Sequence, residues 1–149
     1  MRKSRTPIMR KWCIIILAIL FVFSASANAQ QYVFDEPDLD GIQYQLYIYG
    51  QLTQYLDDLF RKFSDGYMQP DEALKKVTLL GHEYNKLVEP VPKEAEKLHG
   101  LTNILLSRIE NYFINWKRSN REDPEINVKI AETKFELLQE SERLKYLYS

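Results

Sequence analysis

The side chains with the clearest capacity for chemistry are two histidines, a scatter of carboxylates and a group of tyrosines. His82 and His99 are the only imidazoles of the chain. A di-metal site in a helical bundle core requires a Glu-x-x-His pair from each of two helices. His99 has Glu96 three positions before it, whereas His82 has Leu79, so one pair is present where two are needed. Neither histidine lies in an HExxH or CxxCH run. Serines lack the GxSxG turn of an activated nucleophile, and glycine-rich phosphate loops are absent. The carboxylates fall on polar helix faces, where solvation is the ordinary role, and no two stand apart as an acid–base pair. The expectation is a protein that is not an enzyme and carries no cofactor. The alternative is a periplasmic small-ligand, metal or haem carrier using His99, Glu96 and a bundle core.

Asp65 to Glu72 (DGYMQPDE) resembles the second half of an EF-hand calcium loop. Asp65, Gly66, Met68 and Glu72 would be its positions five, six, eight and twelve. Positions one and three would be Arg61 and Phe63, which offer no oxygen, and Arg61 would repel the ion. A helix stop at Gly66 followed by a helix start at Pro70 accounts for the same residues.

The tyrosines point elsewhere. On a helix through residues 37–64, Tyr44, Tyr47, Gln51, Gln54 and Asp58 face away from the apolar stripe, with Tyr55 beside them. Exposed tyrosines at helical spacing can anchor a protein interface. Tyr44, Tyr47, Gln51, Gln54 and Tyr55 are therefore the candidate partner surface. The competing roles are coverage by Tyr32 and Phe34 from the preceding segment, or tyrosines snorkelling at the bundle edge.

Four helices must position these groups. Pro92 to Lys117 organises them: Ala95, Leu98, Thr102, Leu105, Leu106, Ile109, Tyr112, Phe113 and Trp116 fall within an arc of about 120°. Steps of four and three along it are bundle spacing. The first helix, Pro37 to Ser64, carries Ile42, Leu46, Tyr49, Leu52, Thr53, Leu56, Leu59, Phe60 and Phe63 on one stripe. The second begins at Pro70 with the seam Ala73, Val77, Leu80, Tyr84, Leu87. In the fourth, Asp123 caps, Pro124 takes the first turn, and the helix runs to about Leu147. Its expected polar arc is Lys129, Glu132, Thr133, Glu136, Gln139, Glu140 and Arg143. Its apolar side is broad, with Ile126, Val128, Ile130, Ala131, Phe135, Leu137, Leu138, Leu144 and Tyr146, and implies two neighbours. Short turns between amphipathic helices predict an all-α, antiparallel four-helix bundle, a single domain over 38–149 behind an extended arm at 30–37.

The N-terminus reads as a cleaved signal peptide over residues 1–29. Arg2, Lys3, Arg5, Arg10 and Lys11 precede the apolar run Trp12 to Phe23, and small residues surround a cleavage point after Ala29. Twelve residues make about 18 Å of helix, short of a roughly 30 Å hydrocarbon core. An uncleaved anchor extended to Ala29 is the other possibility. Cleavage removes Cys13, the single cysteine, and leaves 15 basic against 21 acidic residues. That acidic balance argues against nucleic acid as a partner. The expected partner is another exported protein or a second copy, in the periplasm or outside the cell, with no stable membrane insertion once the signal is removed.

Overall fold

The computed structural model describes residues 32–149; the expected signal peptide and the first residues of the arm lie outside the described residues. The chain divides into two units at Val33 and Phe34, and every described helix lies in the second, Phe34–Ser149. Tyr32 to Asp40 is non-helical. There follow α1 (Gly41–Ser64), α2 (Pro70–Val88), a 3-10 turn (Lys93–Ala95), α3 (Glu96–Ser119) and α4 (Pro124–Tyr148). The described chain is an all-α helical bundle, and none of its helices is long and apolar enough to cross a membrane.

The turn chemistry sets the boundaries. α1 starts at Gly41 rather than Pro37, because Gly41 sits at φ +55, a left-handed conformation that a helix continuing from upstream could not contain. It ends in the double bond pattern of a left-handed cap: Gly66 N donates to Phe63 O at 3.1 Å and Tyr67 N to Lys62 O at 2.9 Å, with Gly66 at φ +81. Asp71 and Glu72 of the calcium-like run pair instead with Lys117 (2.8 Å) and Lys76 (3.5 Å). The helix-cap role of this segment is thus the one the structure displays. α3 closes on Asn120 at φ 53, whose N–H reaches Trp116 O. Asp123 caps α4 by accepting from Glu125 N at 3.0 Å.

α1 packs on α2 and α4, α2 on α3, and α3 on α4. The arc expected of α3 is the one buried: Leu98, Thr102, Leu105, Leu106, Ile109, Tyr112 and Phe113 all face the core, and Trp116 is half-buried. α2 buries Ala73, Val77, Leu80, Tyr84 and Val88, with Leu87 half-buried. The stripe of α1 is turned from the expected one. Gln45 and Ile48 are buried with Ile42, Leu52, Leu56 and Leu59, while Leu46, Tyr49, Thr53, Phe60 and Phe63 are half-buried. Gln45 goes inside because its amide Nε2 donates to Val88 O at 2.8 Å, satisfying a carbonyl at the end of α2.

Two buried polar atoms, the Tyr84 hydroxyl and the Trp116 indole nitrogen, have no such partner among the described residues. Tyr84 is fully buried, and its hydroxyl makes no hydrogen bond. The Thr102 hydroxyl, the polar side chain that acts on it, is itself given to Leu98 O at 2.7 Å. Burial pushes the Tyr84 phenol from 10.0 up to about 12, against a smaller downward pull from Thr102. The fold therefore favours the neutral phenol. That stability is complete below the unfolded value near 10 and is lost as pH rises through about 12. Tyr84→Phe is expected to stabilise the protein by about 1 kcal/mol at neutral pH, since it removes an unbonded buried hydroxyl, and to blunt the alkaline loss. Denaturant unfolding at pH 7 and pH 11 tests this, and a Phe variant weaker at both would show that the hydroxyl is bonded.

Candidate functional site

The tyrosine side of α1 is organised around Gln51. Its Oε1 accepts from Asp35 N at 3.1 Å, and its Nε2 donates to the Tyr47 hydroxyl at 3.2 Å. Phe34 meets Tyr55 edge to face, with ring centroids 5.2 Å apart. Burial and then the charge of Asp35 raise the Tyr55 phenol; burial and then Glu36 raise that of Tyr44. The segment 34–36 thus lies along this face, as the competing role for Phe34 anticipates. Tyr44, Gln51 and Tyr55 are half-buried, Gln54 is exposed, and Tyr47 retains 37% of its surface. The structure gathers Tyr47, Gln51 and Tyr55 into one patch shared with the arm.

His99 is committed to a different task. Its Nε2 lies 2.8 Å from Asn85 Oδ1, and its ring stacks on Tyr84 at 6.0 Å. Asn85 and Asn103 exchange amide hydrogen bonds of 2.9 and 3.1 Å across α2 and α3. This polar clamp sets the register of the two helices. Glu96 and His82 are both exposed. Among the described residues, no group of three or more His, Cys, Asp or Glu is placed to hold a metal ion.

The largest departure from expectation is α4. Thr133 and Glu140, assigned above to its polar arc, are buried, as is Ser141. Ile130, Leu137 and Leu144 accompany them. Each polar group is satisfied where it sits. Thr133 donates to Lys129 O at 2.9 Å and accepts from Arg108 of α3, which also donates to Lys129 O. Ser141 donates to Leu138 O at 3.0 Å. The Glu140 carboxylate takes two bonds from Arg143, at 3.0 and 2.6 Å, and has Lys97 of α3 at 3.6 Å. The Arg143 hydrogen bonds, outweighing an upward push from burial, hold its carboxyl below the usual value.

With the polar groups turned in, apolar ones turn out. Val128 (56% exposed), Phe135 (60%), Leu138 (56%) and Tyr146 (85%) are exposed, and Ala131 is exposed between them. At about 100° per residue these five occupy an arc of roughly 80° on the side opposite Ile130, Leu137 and Leu144. Each large side chain in the stripe leaves unrealised much of the roughly 1.5–3 kcal/mol that full burial supplies. The spacing 128, 131, 135, 138 is visible in the sequence and marks this stripe, without saying which of the two apolar stripes faces the core. Of the broad apolar side expected of this helix, Ile130, Leu137 and Leu144 belong to the core.

A groove of about 490 Å³ lies beside the first half of α4, lined by Asn103, Ile104, Ser107, Arg108, Asn111 and Lys129. Arg108 has no carboxylate in ion-pair range among the described residues. Sequence reasoning did not single out Arg108, because its anchors lie on another helix.

No family model, no curated protein and no solved structure matches the chain.

Proposed function

We propose that this chain is an exported, non-enzymatic helical protein that works by binding another exported protein or a second copy of itself. The observation that carries the reading is the outer stripe of α4, Val128, Ala131, Phe135, Leu138 and Tyr146. A contiguous apolar face rimmed by Glu132 and Gln139 has the make-up of an association surface rather than of isolated exposed residues. The tyrosine patch at Tyr44, Tyr47, Gln51, Gln54 and Tyr55 is a second, more polar surface, shared with the arm.

The reading includes an antiparallel bundle behind a cleaved signal at residues 1–29. Side-chain pairs support the antiparallel order. Asp71 meets Lys117 while Asn85 meets Asn103, so α3 descends as α2 rises. Lys97 meets Glu140 while Arg108 meets Thr133. Gln43 meets Tyr148 while Asp57 meets Lys134. Export rests on the N-terminal charge and apolar run.

A photo-crosslinking amino acid placed at Phe135, and separately at Tyr47, in the exporting host tests the function. A discrete protein adduct from Phe135 supports association through α4, and one from Tyr47 supports the tyrosine patch. If neither position yields a protein adduct, the association reading fails. The alternative, a small-ligand carrier, is favoured by the groove at Arg108, whose guanidinium, Lys129 and amide lining suit an anionic ligand better than the metal or haem considered for His99.

A further inference from the structure

We propose that the occupant of the α4 stripe is a second copy of this chain, with the two α4 helices packed antiparallel about a two-fold axis passing between Glu136 and Leu137. This deepens the association reading and rests on it. The steps three, four, three from Val128 through Ala131 and Phe135 to Leu138 continue as four and three to Glu142 and Lys145. That is the seam of a left-handed helix pair. A helix carrying such a seam can meet its own copy, because a two-fold interface needs only a self-complementary surface.

The charges at the end of the seam choose the direction. In a parallel pair Glu142 would face Glu142 of the second copy, and Lys145 would face Lys145. Like charges directly opposite are unfavourable. In the antiparallel pair Phe135 lies over Leu138 of the second copy, Ala131 makes room for Glu142, and Val128 lies along the stem of Lys145. Glu142 and Lys145 already neutralise one another within a helix at 3.0 Å. Beside the seam, Glu132 comes within about 3 Å along the axis of Gln139 of the second copy rather than beside another acid.

The area is sufficient. Five exposed side chains of this size present on the order of 500 Å², so two copies together bury roughly 1,000 Å², the lower bound for a specific protein interface. The stripe lies opposite the core side of α4, so a second bundle can approach without displacing α1 or α3.

Single cysteines in the full chain, expressed from its own gene with Cys13→Ser, test both partner and direction. About the proposed axis, position 138 lies about 4.5 Å along the helix from its own copy, and position 128 about 25 Å away, at 1.5 Å per residue. Mild oxidation should therefore give covalent dimer with Leu138→Cys and none with Val128→Cys. The double variant Val128→Cys, Lys145→Cys should dimerise again. Leu138→Glu should cut the cross-linked fraction at neighbouring Phe135→Cys at least about tenfold, the effect of a 1.4 kcal/mol loss, while thermal melting stays native because Leu138 is exposed. Dimer from both single cysteines would overturn the antiparallel order. Absence of dimer from every variant, with the untouched chain sedimenting as one protomer, would overturn self-association. In that event a Phe135 photo-adduct with a different protein would leave the broader association reading standing, and no adduct would remove both.

Discussion

Phe113→Ala should destabilise the protein by about 3–5 kcal/mol and lower its melting point by on the order of 10–20 °C. Phe113 is fully buried where α1 meets α3. Its ring stacks on Phe60 at 5.3 Å and meets Phe63 and Tyr112 edge to face, each at 5.1 Å. Truncation opens a cavity walled by three aromatic rings, which are too stiff to collapse into it and which lose their dispersion partner together. Phe135→Ala is the matched control. The same chemical change at a side chain 60% exposed should stay within about 0.5 kcal/mol in dilute protein, where the proposed pairing through α4 would be suppressed. Thermal melts of the two variants side by side decide the matter. Equal losses would mean that the core and outer faces of these helices are not as described.

The second large effect belongs to Glu140. Removing both of its cations, with Lys97→Ala and Arg143→Ala together, should cost about 2–4 kcal/mol at neutral pH, because it strands a carboxylate whose side chain is 2% exposed. Glu140→Gln should cost less, about 1–2 kcal/mol, since Lys97 and Arg143 are exposed enough to return to water. The pH dependence carries the sign. The folded-state pKa of Glu140 lies below its ordinary 4.5, so the folded protein binds fewer protons there than the unfolded chain. The contribution is fully present above the unfolded value and is lost as pH falls through the folded one. Unfolding free energies measured from pH 7 down to pH 3 should therefore show wild type and Glu140→Gln converging in acid. A gap that stays constant would mean that the carboxylate charge is not what stabilises this site.

These two sites differ in how plainly the sequence announces them. The faces of α2 and α3 are legible because each has one apolar stripe with polar residues opposite, so periodicity alone identifies the inner side. α4 has two apolar stripes, and periodicity cannot rank them. What ranks them is Arg108 reaching Thr133, and Lys97 joining Arg143 on Glu140, and the α3 partners stand 25 and 43 residues away in the chain. A polar residue goes inside when distant partners make it affordable, and only the folded chain reveals those partners. Gln45 is the same case in small, drawn inward by the carbonyl of Val88. The tyrosine patch was visible as a pattern; its engagement by Phe34 and Asp35 depends on where the arm lies, which no periodicity encodes.

The inward face of α4 has one more consequence. α3 anchors itself with Leu98, Leu105, Leu106, Ile109, Tyr112 and Phe113, whereas α4 buries only Ile130, Leu137 and Leu144 among its apolar side chains. Its remaining attachment is polar, and water can replace polar contacts far more cheaply than it can replace packed rings. The backbone amides of α4 should therefore trade their hydrogens with solvent before those of α2 and α3, which hydrogen exchange read helix by helix would check. A partner resting on Phe135 and Leu138 would press that loosely held helix against the rest, so occupancy of the outer face would be recorded as slowed exchange along α4 itself.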